Sequence, residues 1–138
     1  SSGQVSASSY VGNGQGLTGI NKNFGITIDG GGSAITTGIK GDVTLPFSGT
    51  IIGWYITADQ AGSIVIDIWK DIFANFPPTA ADSIAGTEKP TLSGTAANSD
   101  TNLTTWSSVT ISSGDVIRFN VDSVATVTRV TLVIQART

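Results

Sequence analysis

Apolar residues in this chain recur at every second position, in short runs that turn residues cut off. Phe24, Ile26 and Ile28 alternate with Gly25, Thr27 and Asp29, and the run stops at Gly30-Gly31-Gly32. Ile39, Gly41, Val43 and Leu45 alternate with Lys40, Asp42 and Thr44 before Pro46 closes the run. A period of two gathers apolar side chains on one face of a strand and scatters them around a helix. Ile51 to Thr57 is β-branched and aromatic. Ala58-Asp59-Gln60-Ala61-Gly62 then predicts a turn into Ser63 to Lys70, so the two arms read as a hairpin. In the second arm Ile64, Ile66 and Ile68 face one way, and Val65, Asp67 and Trp69 face the other. Asp71 to Thr101 is expected to be irregular, because Asn75-Phe76-Pro77-Pro78 forbids a continuing central strand. Pattern returns over Leu103 to Ile111, Val116 to Val121 and Val127 to Ala136.

Short strands at regular spacing with almost no helical period predict an all-β fold, an antiparallel β-sandwich of jelly-roll-like type. The excursion from Asp71 to Thr101 suits a crossover between its sheets. A chain of 138 residues is one domain in size and can bury a core without staples. None are available, since cysteine is absent.

Residues 1–22 differ from the rest. Val5, Tyr10, Val11, Leu17 and Ile20 are spread among Gly and Ser, too thinly to pack within one chain. Three copies wound together could share them around a dry axis; a flexible Gly/Ser linker is the alternative. The chain therefore divides into a short, extended, Gly-rich stalk over 1–22 and a sandwich tip domain over 23–138.

Absent residue types limit the chemistry. Without His or Cys, Ser-His-Asp, Cys-His and zinc-histidine arrangements cannot be built. Carboxylate pairs remain, as in glycosidases. Asp67 and Asp71 flank Trp69, but adjacent strand positions face opposite ways, and an Asp on a solvent face keeps a strand soluble. Glu88, the only Glu, sits beside Lys89-Pro90. Asp29, Asp59, Asp100, Asp115 and Asp122 lie in or near loops without calcium-loop spacing and suit ordinary turns. The expectation is no enzyme, no cofactor and no metal. Charged residues make up only 12% of the chain, and the net charge is −3. Scattered Lys and Arg with that balance make no nucleic-acid surface. Apolar runs are too short for membrane insertion, and no leader-like stretch opens the sequence, so release by cell lysis is the expected route outside.

Gln4 to Ile20, with Val11-Gly12-Asn13-Gly14-Gln15-Gly16-Leu17-Thr18-Gly19-Ile20 at its centre, resembles the repeat of phage tail-fibre shafts. Ile52 to Ile56, Gly62 to Lys70, Asn75 to Thr79, Glu88 to Leu92 and Asp115 to Ser123 resemble a domain of tailed-phage structural proteins. That domain often ends fibre-like virion proteins. The resemblance implies a virion component, attachment to a host surface glycan or protein, and contact with other virion proteins. It carries no ligand residues over to this chain.

The residues singled out for ligand or subunit contact are Trp69, Tyr55, Phe73, Phe76 and Asp67. Trp69 suits a subunit interface, a second core layer or a sugar-stacking site. Tyr55 points away from Trp54, whose phase with Ile52 and Ile56 predicts the core. Phe73 and Phe76 suit a loop that caps a core edge, and Trp106 suits packing on either sheet. Strands apolar on both faces (Ile51 and Ile52, Ile64 to Ile68, Val130 to Ile134) predict cover by a neighbouring copy, and so a homotrimer. The leading expectation is a receptor-binding fibre tip. A capsid decoration or scaffold domain and a polysaccharide-degrading tip are the alternatives.

Overall fold

The computed structural model describes residues 19–138, so the stalk reading of 1–22 lies outside the described residues apart from Gly19 to Lys22. The class expectation holds: seven strands form an antiparallel, all-β, sandwich-like fold. The strands are β1 (Asn21–Asp29), β2 (Gly38–Thr44), β3 (Gly49–Asp71), β4 (Thr91–Asp100), β5 (Thr110–Ile111), β6 (Val116–Ala125) and β7 (Arg129–Arg137). Both layers come from one sheet. β7 pairs with Thr50 to Ala58 of β3, and β6 pairs with Ser63 to Asp71 of the same strand. β1 lies outside β7, and β2 lies outside β6. β4 and the short β5 line the opposite edge of β3. Long strands that bend at a shared corner carry the sheet from one layer to the other, and the sheet curls into a half-barrel. The two layers meet closely: a Cβ on Gly41 of β2 would lie 2.9 Å from Ile26 Cδ1 of β1.

The expected hairpin at Ala58 to Gly62 is not formed. β3 runs unbroken for 23 residues through that stretch. A turn would have returned the chain alongside itself; instead β3 exchanges one partner strand for another and bends. Gly62 makes the bend possible, since a Cβ there would sit 2.7 Å from Val127 Cγ1 and 2.8 Å from the Ala125 carbonyl. Asp59 locks the corner. Its carboxylate accepts hydrogen bonds from the Thr128 hydroxyl, Thr128 N (3.2 Å) and Arg129 N (3.1 Å). Thr126, at φ 71°, occupies the left-handed region that branched residues avoid, and its carbonyl accepts a hydrogen bond from Gln60.

The core lies between the layers. Ile56, Ile66, Ile68, Phe119, Leu132 and Ile134 have no exposed surface, and full burial of such side chains stabilises by about 1.5–3 kcal/mol each. The segment expected to be irregular contains a full strand, β4, while regular structure in Leu103 to Ile111 shrinks to Thr110–Ile111. The second departure has a local cause. Glu88 Oε1 accepts hydrogen bonds from Thr104 N (2.6 Å), Thr105 N and Thr105 Oγ1 (2.8 Å), which hold 101–106 as a loop. The Glu88 carbonyl also accepts from Trp54 Nε1 and Trp106 Nε1, each at 3.1 Å. Both tryptophans are buried, so the core predicted for Trp54 is correct and Trp106 joins it.

These donors favour the charged carboxylates. The Thr105 amide above all holds Glu88 below the ordinary carboxylate range, and the Thr128 hydroxyl does the same for Asp59. For a folded-state pKa below the unfolded one, the stabilisation is complete above the unfolded value and is lost as pH falls through the folded value. The melting temperature is therefore expected to hold steady down to about pH 5 as far as these two groups are concerned, then to fall below about pH 4. In the double variant Asp59→Asn/Glu88→Gln the melting temperature should start lower at pH 7 and fall less in acid. Parallel curves for variant and parent would refute the assignment.

Candidate functional site

The layer made by β2, β6 and the C-terminal half of β3 turns a mixed face away from the core. Alternation fixes its membership. Ile66 and Ile68 point inward, so Asp67 and Trp69 point outward; Phe119 and Val121 point inward, so Arg118, Asn120 and Asp122 point outward. In register, Asp42, Arg118 and Trp69 form one cross-strand row, and Ile39, Asn120 and Asp67 form the next.

Asp67 and Trp69 do not stand in solvent. They are 6% and 9% exposed, because the chain leaving β3 folds back along the strand's edge. Ser83 bridges to Trp69, Ile84 N donates to the Ile68 carbonyl at 2.9 Å, and Ile66 N donates to the Pro90 carbonyl at 2.9 Å. The reading of Asp67 as a solubilising surface charge is therefore overturned. Its Oδ1 accepts from Ser83 Oγ at 2.6 Å and Ile68 N at 2.8 Å, and its Oδ2 accepts from Trp69 Nε1 at 3.1 Å. Lys89 Nζ lies 3.4 Å from Asp67 Oδ2 and 2.8 Å from Asp122 Oδ2. Asn120 Nδ2 donates to Asp122 Oδ1 at 2.7 Å. The hydrogen bond to Asp122, reinforced by the charge of Asp67, raises the Lys89 pKa.

Beside this network Arg118 grips Asp42 with both arms, Nε to Oδ1 at 2.7 Å and Nη2 to Oδ2 at 3.0 Å, and this pairing raises the arginine pKa further. The Phe76 ring lies over the guanidinium with 5.4 Å between Cζ and the ring centroid. Phe73 and Phe76 do not cap the core. They are 65% and 50% exposed, and Ile72 and Ile39 are exposed to a similar degree. A short 3-10 turn, Phe73–Asn75, presents them, and Asp71 Oδ1 braces it by accepting from Ile72 N and Asn75 Nδ2.

Of the five residues singled out from sequence, Asp67, Trp69, Phe73 and Phe76 thus share one region. Tyr55 is on the outer face of the other layer. Sequence reasoning missed Asp42, Lys89, Arg118, Asn120 and Asp122. Alternation within Val116 to Val121 could have placed Arg118 and Asn120 outward, but no local signal tells that residues 83–90 return to this face. Two of the three stretches used to infer a neighbouring copy lose their argument: the chain's own crossover covers Asp67 and Trp69 beside Ile64 to Ile68, and Val130 to Ile134 buries Val130, Leu132 and Ile134 in the chain's own core, turning only Thr131 and Val133 outward.

The carboxylates of this face are committed to fixed donors. Asp67 is engaged by four donors, and Asp42 by a bidentate arginine. Among the described residues no group of His, Cys, Asp or Glu is arranged to hold a metal ion, and no helix is long and apolar enough to cross a membrane. Comparison of the chain with protein-family models, with curated proteins and with solved structures found no match.

Proposed function

We propose that this chain is a non-enzymatic binding module of a tailed-phage particle, a homotrimeric fibre tip that attaches to the host surface. The observation that carries the binding part is Phe76, half exposed and laid over Arg118, on the same short turn as exposed Ile72 and Phe73, beside a face whose charges are paired with one another and whose Asn120 row also carries exposed Ile39. Exposed apolar groups on a rigid frame of ion-paired side chains are the usual make-up of an interaction centre. The frame costs nothing to order on binding, because its side chains are already fixed. The resemblance of Gln4 to Ile20 to fibre shafts, and of Gly62 to Lys70 and Asp115 to Ser123 to a virion domain, supports the phage setting. Three weak sites on one stalk would act together through avidity.

The labelled chain is expected to remain on washed cells of some bacterial isolates and not others, and to have a solution mass of three chains. Phe73→Ser/Phe76→Ser should lower cell retention at least tenfold while moving stability by no more than about 1 kcal/mol, chiefly the lost contact of Phe76 with Arg118. Retention on phage particles but on no isolate would favour the decoration reading instead.

A further inference from the structure

The other layer has an outer face with a different character. Its register sets out three cross-strand rows: Asn23, Gln135 and Gly53; Gly25, Val133, Tyr55 and Ser99; Thr27, Thr131, Thr57 and Ala97. No residue in these rows carries a charge. The nearest charges in register, Asp29 with Arg129 and Arg137 opposite Asn21, stand at the two ends. Where Gly25 supplies no side chain, a groove of about 340 Å³ opens between β1 and β7, bordered by Asn23, Thr27, Thr131 and Val133. Tyr55 stands one strand away, directly opposite Val133, and is 44% exposed. The Thr27 and Thr131 hydroxyls bond to each other at 3.1 Å, whereas the polar ends of Asn23, Gln135, Thr57 and Tyr55 engage no other described side chain.

We infer that this groove and the Tyr55 platform bind a neutral oligosaccharide. Amides and hydroxyls that no described side chain engages offer both donors and acceptors to sugar hydroxyls. A tyrosine beside them offers a flat apolar surface with a polar end. The groove volume lies within the usual range for ligand sites. Absence of charge within the rows selects the class of sugar: a uronate, sialate or sulfate group seated there would lose hydration, and the cations stand only at the two ends, Arg129 opposite Asp29 and Arg137 held by Asn21. Size argues against a second copy of the chain as occupant. Strand spacing and residue rise give the uncharged rows an area below about 400 Å², whereas a stable protein interface needs about 800 Å² on each partner. The inference rests on the attachment reading for its biological role only, because the groove chemistry is independent of the Phe76 face.

The test is an array of neutral hexose and N-acetylhexosamine oligosaccharides printed beside sialylated, uronate-containing and sulfated ones, probed with the full chain. Neutral glycans should be retained, anionic ones not. Tyr55→Ala and Gln135→Ala should each weaken binding at least tenfold with unchanged melting, and Phe76→Ala should leave it unaltered. Retention of no neutral glycan, retention of anionic glycans only, or binding indifferent to both groove variants would overturn the inference. So would a copy-to-copy association that Thr131→Arg abolishes. Cells that still bind the chain while the array stays blank would remove this groove and leave the attachment reading standing.

Discussion

Asp67→Ala is expected to lower stability by about 3 kcal/mol, the low end of what removing one partner of a buried ion pair costs. Most of the loss comes from what stays behind. Without the carboxylate, the buried Trp69 Nε1 and Ile68 N and the half-buried Ser83 Oγ lose their acceptor, and unmatched buried donors are expensive. Lys89 adds less, because its side chain is 30% exposed and retains Asp122 at 2.8 Å. Asp67→Asn should cost less than alanine, since one oxygen can still accept from Ser83 and Ile68 while the amide faces the indole N–H. A domain of this size has about 5–15 kcal/mol in total, so the alanine variant gives up a large share. Urea unfolding monitored by tryptophan fluorescence measures the order parent, Asn, Ala. A loss below about 0.5 kcal/mol for alanine would show that the network is ornamental. Cell retention should fall in step, because Ser83 and Lys89 tie the crossover to the face that carries Arg118 and Phe76.

The same residue shows how far the sequence could be read. Alternation placed Ile64, Ile66 and Ile68 together and Asp67 with Trp69 on the opposite face, and the structure keeps that division. What alternation cannot show is which faces a distant segment will cover. Residues 83–90 return to the edge of β3 through backbone bonds at Ile66 and Ile68, which any sequence can make. The burial of Asp67 was therefore illegible. The bend at Gly62 was illegible for a related reason. A Gly-containing polar stretch between two β-branched runs signals a hairpin, and only the close approach of Ala125 and Val127 from across the sheet distinguishes a bend from a turn. Tyr55 was legible as an outward residue from its phase against Trp54 and Ile56. Its uncharged surroundings required the pairing of β3 with β7 and of β7 with β1.

β4 failed for a local reason. Thr91 to Asp100 contains Gly, Ala, Asn and Ser in place of the branched residues that mark strands. Apart from buried Leu92, its side chains are largely exposed, so little apolar signal was needed. Backbone pairing to Trp54 through Val65 specifies it instead.

Gly25→Ala should have the second large effect, and the reason is a close approach of backbone to backbone. An added Cβ would lie 1.9 Å from the Leu132 carbonyl oxygen and 3.0 Å from its carbon. A flexible side chain could swing away; a strand carbonyl within a ladder cannot. β1 must therefore shift away from β7, its only partner among the described strands. Overpacking of this kind costs about 1–3 kcal/mol or more. Gly94→Ala supplies the comparison: its φ of 66° disfavours a side chain but nothing lies within 4 Å of the added atom, so the expected loss is about 1–2 kcal/mol. Hydrogen exchange separates the two cases better than melting does. In Gly25→Ala the amides of β1 and the facing edge of β7 should lose protection while those of β6 keep theirs. In Gly94→Ala any loss should remain near β4. Uniform loss across all strands in Gly25→Ala would mean that β1 cannot move separately from the core, to which Phe24 and Ile28 contribute. Neutral-glycan binding should vanish in Gly25→Ala even where the core stays closed, because the floor of the groove is the ladder that the new methyl group forces apart.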